Sequence, residues 1–426
     1  MSLNRRNFVY GLSLAAASPI AAAQDDDGYP RILLGPMLGA PEPDAISIWM
    51  MVNGFTNIAV QVSHSSDFKN LVSEAHAQSK THLAETLHVK VSGLQPGAEY
   101  FYRVLINGKT GKYNQYVSRA RTQPSIGTPV DFSFAFGSCA RIQKHRQQPI
   151  WTVLLEQSPD LFLWLGDNIY ADTLDERVLE LEYQRQRNVR EFQPFGRSTP
   201  QLAVWDDHDY ALNDHDRTNP VKDMALSNFK KYWANPSYGL AEAPGVFFKT
   251  AYGAVDFFML DGRYHRDPNA DPDIPGKTLL GEHQLDWLKQ GLKDSQSVFK
   301  IIACGSGWTK AKGPGGDSWA SYLNEREKLL SFIRSENIDG VVLISGDTHC
   351  GELNCIPQSD AGGYDLYEFV SSPLAQNATM SWVNRTPDVR MRTPYSGGPN
   401  AGFVQIRYNP DPVLSFSLLG ANGNVP

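Results

Sequence analysis

Cysteine and histidine are scarce in this chain, and lysine–arginine runs are absent. Its 426 residues hold 4 Cys and 10 His. Four cysteines do not make a disulfide framework for a chain this long. Cys350 and Cys355 are close enough in sequence for a small-loop disulfide, and that pairing stays open. Cys304, in the strand-like "KIIACGSGW", reads as a buried apolar thiol. The net charge is −7 with no basic run, so nucleic-acid binding through the phosphate backbone has no electrostatic footprint. No apolar stretch is long enough to cross a bilayer as a helix. No internal repeat is visible. A 41% apolar fraction with only 20% charged residues excludes a disordered chain.

What is present divides the chain. Arg5-Arg6-Asn7-Phe8 precedes a short apolar run and Ala21-Ala22-Ala23, which reads as an export signal over residues 1–23. The paired arginines suggest the twin-arginine route and its export machinery, with a periplasmic or extracellular destination. Residues 28–122 read as short strands separated by turn signals. In "VSGLQPGAEYFYRVLING", Leu94, Pro96-Gly97 and Tyr100 resemble the tyrosine corner of a fibronectin type III-like sandwich. Trp49 is expected in that sandwich's core. Residues 123–130 contain the linker "QPSIGTP". Residues 131–426 then alternate strand-length apolar runs with helical stretches, which predicts an α/β layer structure. "LDERVLELEYQRQRNVREF" is expected as a charged surface helix, and Leu285, Leu288 and Leu292 share a helical face. "GFVQIRYNPDPVLSFSLLG" predicts a closing hairpin.

Within the second region, four buried-strand candidates break into ligand-type residues. "FSFAF" runs into Gly137-Ser138-Cys139, and "LFLWL" into Gly166-Asp167-Asn168-Ile169-Tyr170. "LAVW" runs into Asp206-Asp207-His208-Asp209, and "VVLI" into Ser345-Gly346-Asp347-Thr348-His349. Ligands bind at the carboxyl ends of strands in open α/β sheets. A single Asp after Gly often only caps a helix or turns the chain. Capping does not explain His208 inside "DDHD", nor Asp347 and His349 at one strand end. Gathered carboxylates without a partner would repel and lose hydration at a cost, and a cation resolves both.

These motifs resemble the metallophosphoesterase superfamily, and within it the PhoD-type alkaline phosphatases. "FGSC", "LGDNIYAD", "WDDHD", "GDTH" and "LDGRYHR" carry the resemblance, from about Asp131 onward. It implies a layered β-sandwich flanked by helices, preceded by a small all-β domain. It implies that Asp167 bridges two metals, that Cys139, Tyr170 and His349 complete one position, and that Asp207 and Asp347 belong to the other. Thiolate, phenolate and imidazole suit iron, whereas carboxylate oxygens suit calcium. The implied set is Fe3+ beside Ca2+, sometimes with a second Ca2+, with zinc at the thiolate position as the alternative. A metal-bridging hydroxide would attack phosphorus in line. His208 would donate to a phosphate oxygen or the leaving group. Arg141 would clamp a phosphoryl oxygen. Arg263 is either a second clamp or the salt-bridge partner of Asp261. Two-metal phosphoesterases usually carry more histidines, yet His215, His265 and His283 are read as non-ligands. Asp172, Asp206, Asp209 and Asp214 could support a further calcium, but are read as orienting or solvated groups. Trp308, Trp319 and Tyr322 suggest a surface for bulky esters.

The leading expectation is thus an exported phosphomonoesterase or phosphodiesterase acting on a phosphate-ester substrate. One alternative is phospholipase D-like diesterase action at the same centre, without the His-x-Lys-x4-Asp signature, since His88-Val89-Lys90 is followed by Gln95 in place of Asp. Another is an inactive phosphatase fold that binds a surface or polymer. These separate on purified protein: the enzyme reading expects visible absorption and hydrolysis of p-nitrophenyl phosphate or its bis-ester with calcium. A colourless, metal-free, inactive protein would leave only the binding reading.

Overall fold

A computed structural model describes residues 31–110, 117–379 and 388–423. The expected export signal lies outside them. No helix among the described residues is long and apolar enough to cross a membrane.

The first seven strands form two antiparallel sheets. Ile32–Pro41, Ala45–Val52 and Glu85–Ser92 make one; Leu71–Gln78, Asn57–Ser63, Glu99–Ile106 and Val117–Arg121 make the other, each in spatial order. Alternation along the strands turns Ile46, Ile48, Met50 and Val52 inward onto Val60, Val62, Tyr102 and Val104. The corner forms as its residues predict: the Gln95 backbone N–H donates to the Tyr100 hydroxyl at 2.8 Å.

Trp49 departs from expectation. It lies on the other face of its strand, because period-2 alternation sends it away from Ile48 and Met50. It is fully buried against the second region instead. Its indole donates to the Lys231 carbonyl at 2.8 Å and packs on Tyr232 and on the buried Arg187. The Tyr102 hydroxyl donates to the Arg197 carbonyl and Ala40 N–H to the Ala234 carbonyl, both at 2.8 Å. The sandwich is therefore seated on the helices Phe192–Ser198 and Lys222–Tyr232.

The second region has two further sheets packed face to face. The five-stranded one runs Gln201–Val204, Leu161–Leu165, Phe132–Gly137, Asn400–Arg407, Val413–Gly420. Its first three strands are parallel, and the last two form the predicted hairpin. The seven-stranded one runs Phe248–Tyr252, Val255–Met259, Phe299–Cys304, Val341–Ser345, Leu366–Val370, Glu352–Ile356, Val389–Arg390. Its four central strands, from Val255–Met259 to Leu366–Val370, are parallel. Alternation divides its faces: Phe257, Met259, Ile301, Ala303 and Ile344 meet the first sheet, while Phe258, Ile302 and Leu343 meet the helices Glu282–Asp294 and Leu323–Ser335. Leu285, Leu288 and Leu292 do lie together there. The stretch expected as one surface helix is two, Glu176–Arg187 and Phe192–Ser198, and Glu182, Gln186 and Arg187 are buried. The layers are helix, sheet, sheet, helix, the arrangement expected.

All four cysteines are buried free thiols. Cys350 precedes the strand Glu352–Ile356 and Cys355 lies within it. Extended chain at about 3.3 Å per residue carries them too far apart to bridge, so no disulfide joins them.

Removing the Trp49 side chain should destabilise the protein by about 3–5 kcal/mol, the usual cost of deleting a buried aromatic. Urea unfolding of Trp49→Ala measures it. A loss below about 1 kcal/mol would mean that the sandwich is not seated through this residue.

Candidate metal centre

The carboxyl ends of Phe132–Gly137, Leu161–Leu165 and Gln201–Val204 meet that of Val341–Ser345 from the facing sheet. Backbone bonds join these ends. Ala140 N–H donates to the Asp167 carbonyl at 2.9 Å, and Asp347 N–H donates to Ser138 Oγ at 3.0 Å. Two glycines allow the approach. A Cβ on Gly166 would fall 2.4 Å from the Asp206 Cβ, and one on Gly346 would fall 2.4 Å from Ser138 Oγ.

Four candidate ligands sit in the left-handed region: Cys139 (φ 63°), Asp167 (φ 49°), Asp347 (φ 65°) and His349 (φ 55°). Non-glycine residues rarely adopt it, and such strain costs roughly 1–3 kcal/mol each. Strain of this size concentrated on four ligand-type side chains marks a functional site.

Donor atoms of Cys139, Asp167 and His349 lie within 4.8 Å of one another. Cys139 Sγ is 3.2 Å from Asp167 Oδ2. The Tyr170 hydroxyl is 3.0 Å from that same oxygen and 3.1 Å from His349 Nε2. All four residues expected at the thiolate position therefore converge. Asp167 also groups with Asp207 and His208 within the same 4.8 Å limit. Asp167 Oδ1 is buried without a hydrogen-bond partner.

The electrostatics point the same way. Burial, then the neighbouring Asp347, pushes the Cys139 thiol up to about 11. Burial, then Asp167 and Cys139, raises Tyr170 well above the ordinary phenol. Burial and the Cys139 thiolate raise Asp167 well above the carboxylate range. Burial, aided by Lys312 and His208, lowers His349 to about 4 and keeps it neutral, as a ligand must be. The anions that these residues become are unfavourable by themselves and favourable around a cation. The thiol, phenol, imidazole and orphaned carboxylate oxygen thus fit iron or zinc, and the oxygen-rich side beside Asp207 fits calcium.

A cleft of about 320 Å³ opens over this point, lined in part by Asp167, Asp207, His208, Asp347 and His349. Burial works against His208 protonation, but Asp167, its hydrogen bond to Asp172, and Asp207 outweigh it and raise its pKa to about 10. Its ring lies 4.1 Å from that of Tyr170. Asp209 is structural: it closes a capping box with Asp206 and accepts from the Asn168 amide at 2.6 Å. His215, His265 and His283 join none of the metal-type groups, and His283 is exposed.

Several residues sit differently from expectation. Asp347 lines the cleft, but its carboxylate groups with Asp206 and Asp317 and receives the Lys312 ammonium. Arg263 is fully buried and bonded to Asp206 and Asp317, and only its backbone N–H reaches the Asp261 carboxylate. With its guanidinium so occupied it braces carboxylates and does not reach out to clamp a phosphoryl group. Arg141 stacks over the Tyr170 ring at 4.9 Å with its Nε unpartnered. Asp214 closes a further group with Asp207 and Asp317, and its backbone N–H donates to Asp207 at 2.7 Å. Trp308 and Trp319 stack on each other at 4.5 Å, and with Tyr322 are fully buried. They are core, not an ester-binding surface.

Sequence reasoning missed Lys312, Asp317 and Arg266. Asp317 takes bonds from Arg263 and Arg266, and these with Lys312 overcome burial to hold it well below the carboxylate range. The available signal was "KGPGGD", a glycine-rich loop after yet another strand end, Phe299–Cys304.

A family model, "PhoD-like phosphatase", matches residues 134–409, and its companion, "PhoD-like phosphatase, N-terminal domain", matches 16–124. The chain belongs to the PhoD-like phosphatase family. It is 26% identical to alkaline phosphatase D of Bacillus subtilis (strain 168) over 404 residues, spanning 80% of this chain and 68% of the relative. A solved structure of PhoD superposes with a TM-score of 0.75 at 19% identity, covering 95% of this chain and 93% of that one. The purple acid phosphatase PPD1 of yellow lupin (Lupinus luteus) gives 0.66 at 12%, covering 92% and 72%. These two likenesses show that the layered metallophosphoesterase-type architecture is shared. As a family member this PhoD-like phosphatase is a phosphoesterase-type enzyme.

Breaking the buried Arg263 cluster should be costly. Arg263→Met should destabilise the PhoD-like fold by about 3–5 kcal/mol, because Asp206 loses its cation and Asp317 one of its two arginines. Guanidinium unfolding measures the loss, and an unchanged midpoint would mean that these carboxylates do not depend on it.

Proposed function

We propose that this chain is an exported hydrolase of phosphate mono- or diesters that works with ferric iron beside calcium. The observation that carries the reading is the convergence of Cys139, Asp167, Tyr170 and His349 next to Asp207 and His208, with one Asp167 oxygen left unpartnered. Cys139, Tyr170, His349 and Asp167 would hold the iron. Asp167 and Asp207 would hold calcium, with Asp347 contributing once Lys312 releases it. Two such cations supply charge neutralisation for phosphate and an acidified water as nucleophile.

The chain's own residues do the rest. Asp172 holds His208 at Nδ1, which leaves Nε2 for a phosphoryl oxygen or the departing alcohol. Tyr170 packs against that ring, tilted by 30° at 4.1 Å. Held at Nδ1 by Asp172, His208 can donate a proton from Nε2 as the ester bond breaks. Arg141, over the ring of the same tyrosine, supplies the remaining positive charge for phosphate. Export through the twin-arginine route rests on Arg5-Arg6-Asn7-Phe8 and fits a metal taken up by a folded chain before it meets oxidants.

Thiolate or phenolate bound to ferric iron absorbs visible light. Cys139→Ala should shift and weaken the visible band of the purified protein, leaving the phenolate contribution, and abolish hydrolysis of bis-p-nitrophenyl phosphate. His208→Asn should keep the colour and lower kcat by about 10²–10⁴-fold, the usual weight of general acid catalysis. A visible spectrum unchanged in Cys139→Ala, or a fully active His208→Asn, would overturn these roles.

A further inference from the structure

Behind the cleft lies a second, smaller polar cavity of about 10 Å³, room for one water or one ion. Glu352, Asn354 and Glu368 line it with the hydroxyl residues Thr309, Ser318 and Thr348. Lys312 forms part of its wall and sends its ammonium to Asp347. The two carboxylates are 3% and 0% exposed, and Asn354 is 1% exposed. Glu352 accepts from the Cys350 thiol at 3.2 Å and meets Arg390 at 3.3 Å.

Glu368 is bound by neutral donors. One oxygen accepts from Trp308 N–H at 2.7 Å and from Ser345 Oγ at 2.6 Å. The other has only the Asn354 amide, at a long 3.3 Å. That amide reaches Glu352 at 3.2 Å as well, so Asn354 stands between the two carboxylates. Its own Oδ1 is buried with no hydrogen-bond partner. A buried amide oxygen left bare costs about 1–3 kcal/mol, and a buried carboxylate without a counter-charge costs more. Burial accordingly pushes the Glu368 carboxyl up to about 7.

We propose that this cavity is a binding site for one dehydrated hard cation of the calcium class, held by Glu352, Glu368 and the Asn354 carbonyl oxygen, the Asn354 amide turning over so that oxygen replaces the nitrogen that now faces both carboxylates. The donors are all oxygen and irregularly disposed, the set that calcium accepts and a thiophilic metal does not. The ion's place gives it a structural effect. Glu368 ties the Trp308 backbone to Ser345, so an ion on it fixes the loop that carries Lys312 and Asp317 against the strand Val341–Ser345, whose end leads into Asp347 and His349. The site is independent of the proposed chemistry in the cleft.

The test separates this ion from any in the cleft. Calcium per chain is counted by elemental analysis after dialysis, in Asp167→Asn/Asp207→Asn protein and in the same protein with Glu368→Gln added. The double variant should retain one calcium, and the triple variant none. In the Asp167→Asn/Asp207→Asn protein, Tb3+ luminescence excited through tryptophan should appear with stoichiometric terbium, be competed by calcium, and fall several-fold when Asn354→Ala is added. Absence of calcium from the cleft double variant, an equal count with Glu368→Gln, or terbium emission unchanged by Asn354→Ala would each overturn the site and leave a water there. Circular dichroism of each variant guards against misfolding, and if the double variant fails to fold, Asn354→Ala alone should hold one calcium fewer than wild type.

Discussion

Asp167 is buried, held at a left-handed φ, and carries one carboxylate oxygen with no hydrogen-bond partner. Its other oxygen is shared between the Cys139 thiol and the Tyr170 hydroxyl. Asp207 and His208 press toward it from the next strand end. A carboxylate so placed has given up hydration without gaining full compensation, and a protein retains such a group only where something restores the balance. A cation does so, and it reverses the sense of the neighbouring shifts, since the thiol and phenol that burial keeps protonated become good anionic ligands.

The fold is what allows that concentration of charge. Two sheets packed face to face bring four strand ends to one point, and glycines at 166 and 346 let the backbones pass at distances that any side chain would block. Behind the ligands stands a second tier of fixed charge. Arg263, Arg266 and Lys312 set three cations against Asp206, Asp317 and Asp347. Braced this way, the inner carboxylates do not need the metal for their own neutrality, while Asp167 and Asp207 remain available to it.

The strand ends were legible because each one is local: an apolar run followed within a few residues by Asp, His, Cys or Tyr. The tyrosine corner and the closing hairpin were legible for the same reason. What stayed hidden depends on distant chain. Asp317 meets Arg263 across 54 residues, and neither flanks a periodic pattern that foretells the meeting. Trp49 read as sandwich core because the sequence shows that a strand residue is buried, not against which partner. The buried Trp308–Trp319 pair misled in the same way, since an aromatic near a site by sequence can be core by packing. Asp347 was legible as a cleft residue, but not its ammonium partner, which arrives on an irregular loop.

Iron-edge X-ray absorption of the purified protein tests the metal assignment most directly. An iron centre with one sulfur neighbour, converted to an all-oxygen-and-nitrogen shell in Cys139→Ser, is the predicted result. Iron with no sulfur neighbour in the wild-type protein, or zinc or no metal in the site, would contradict it.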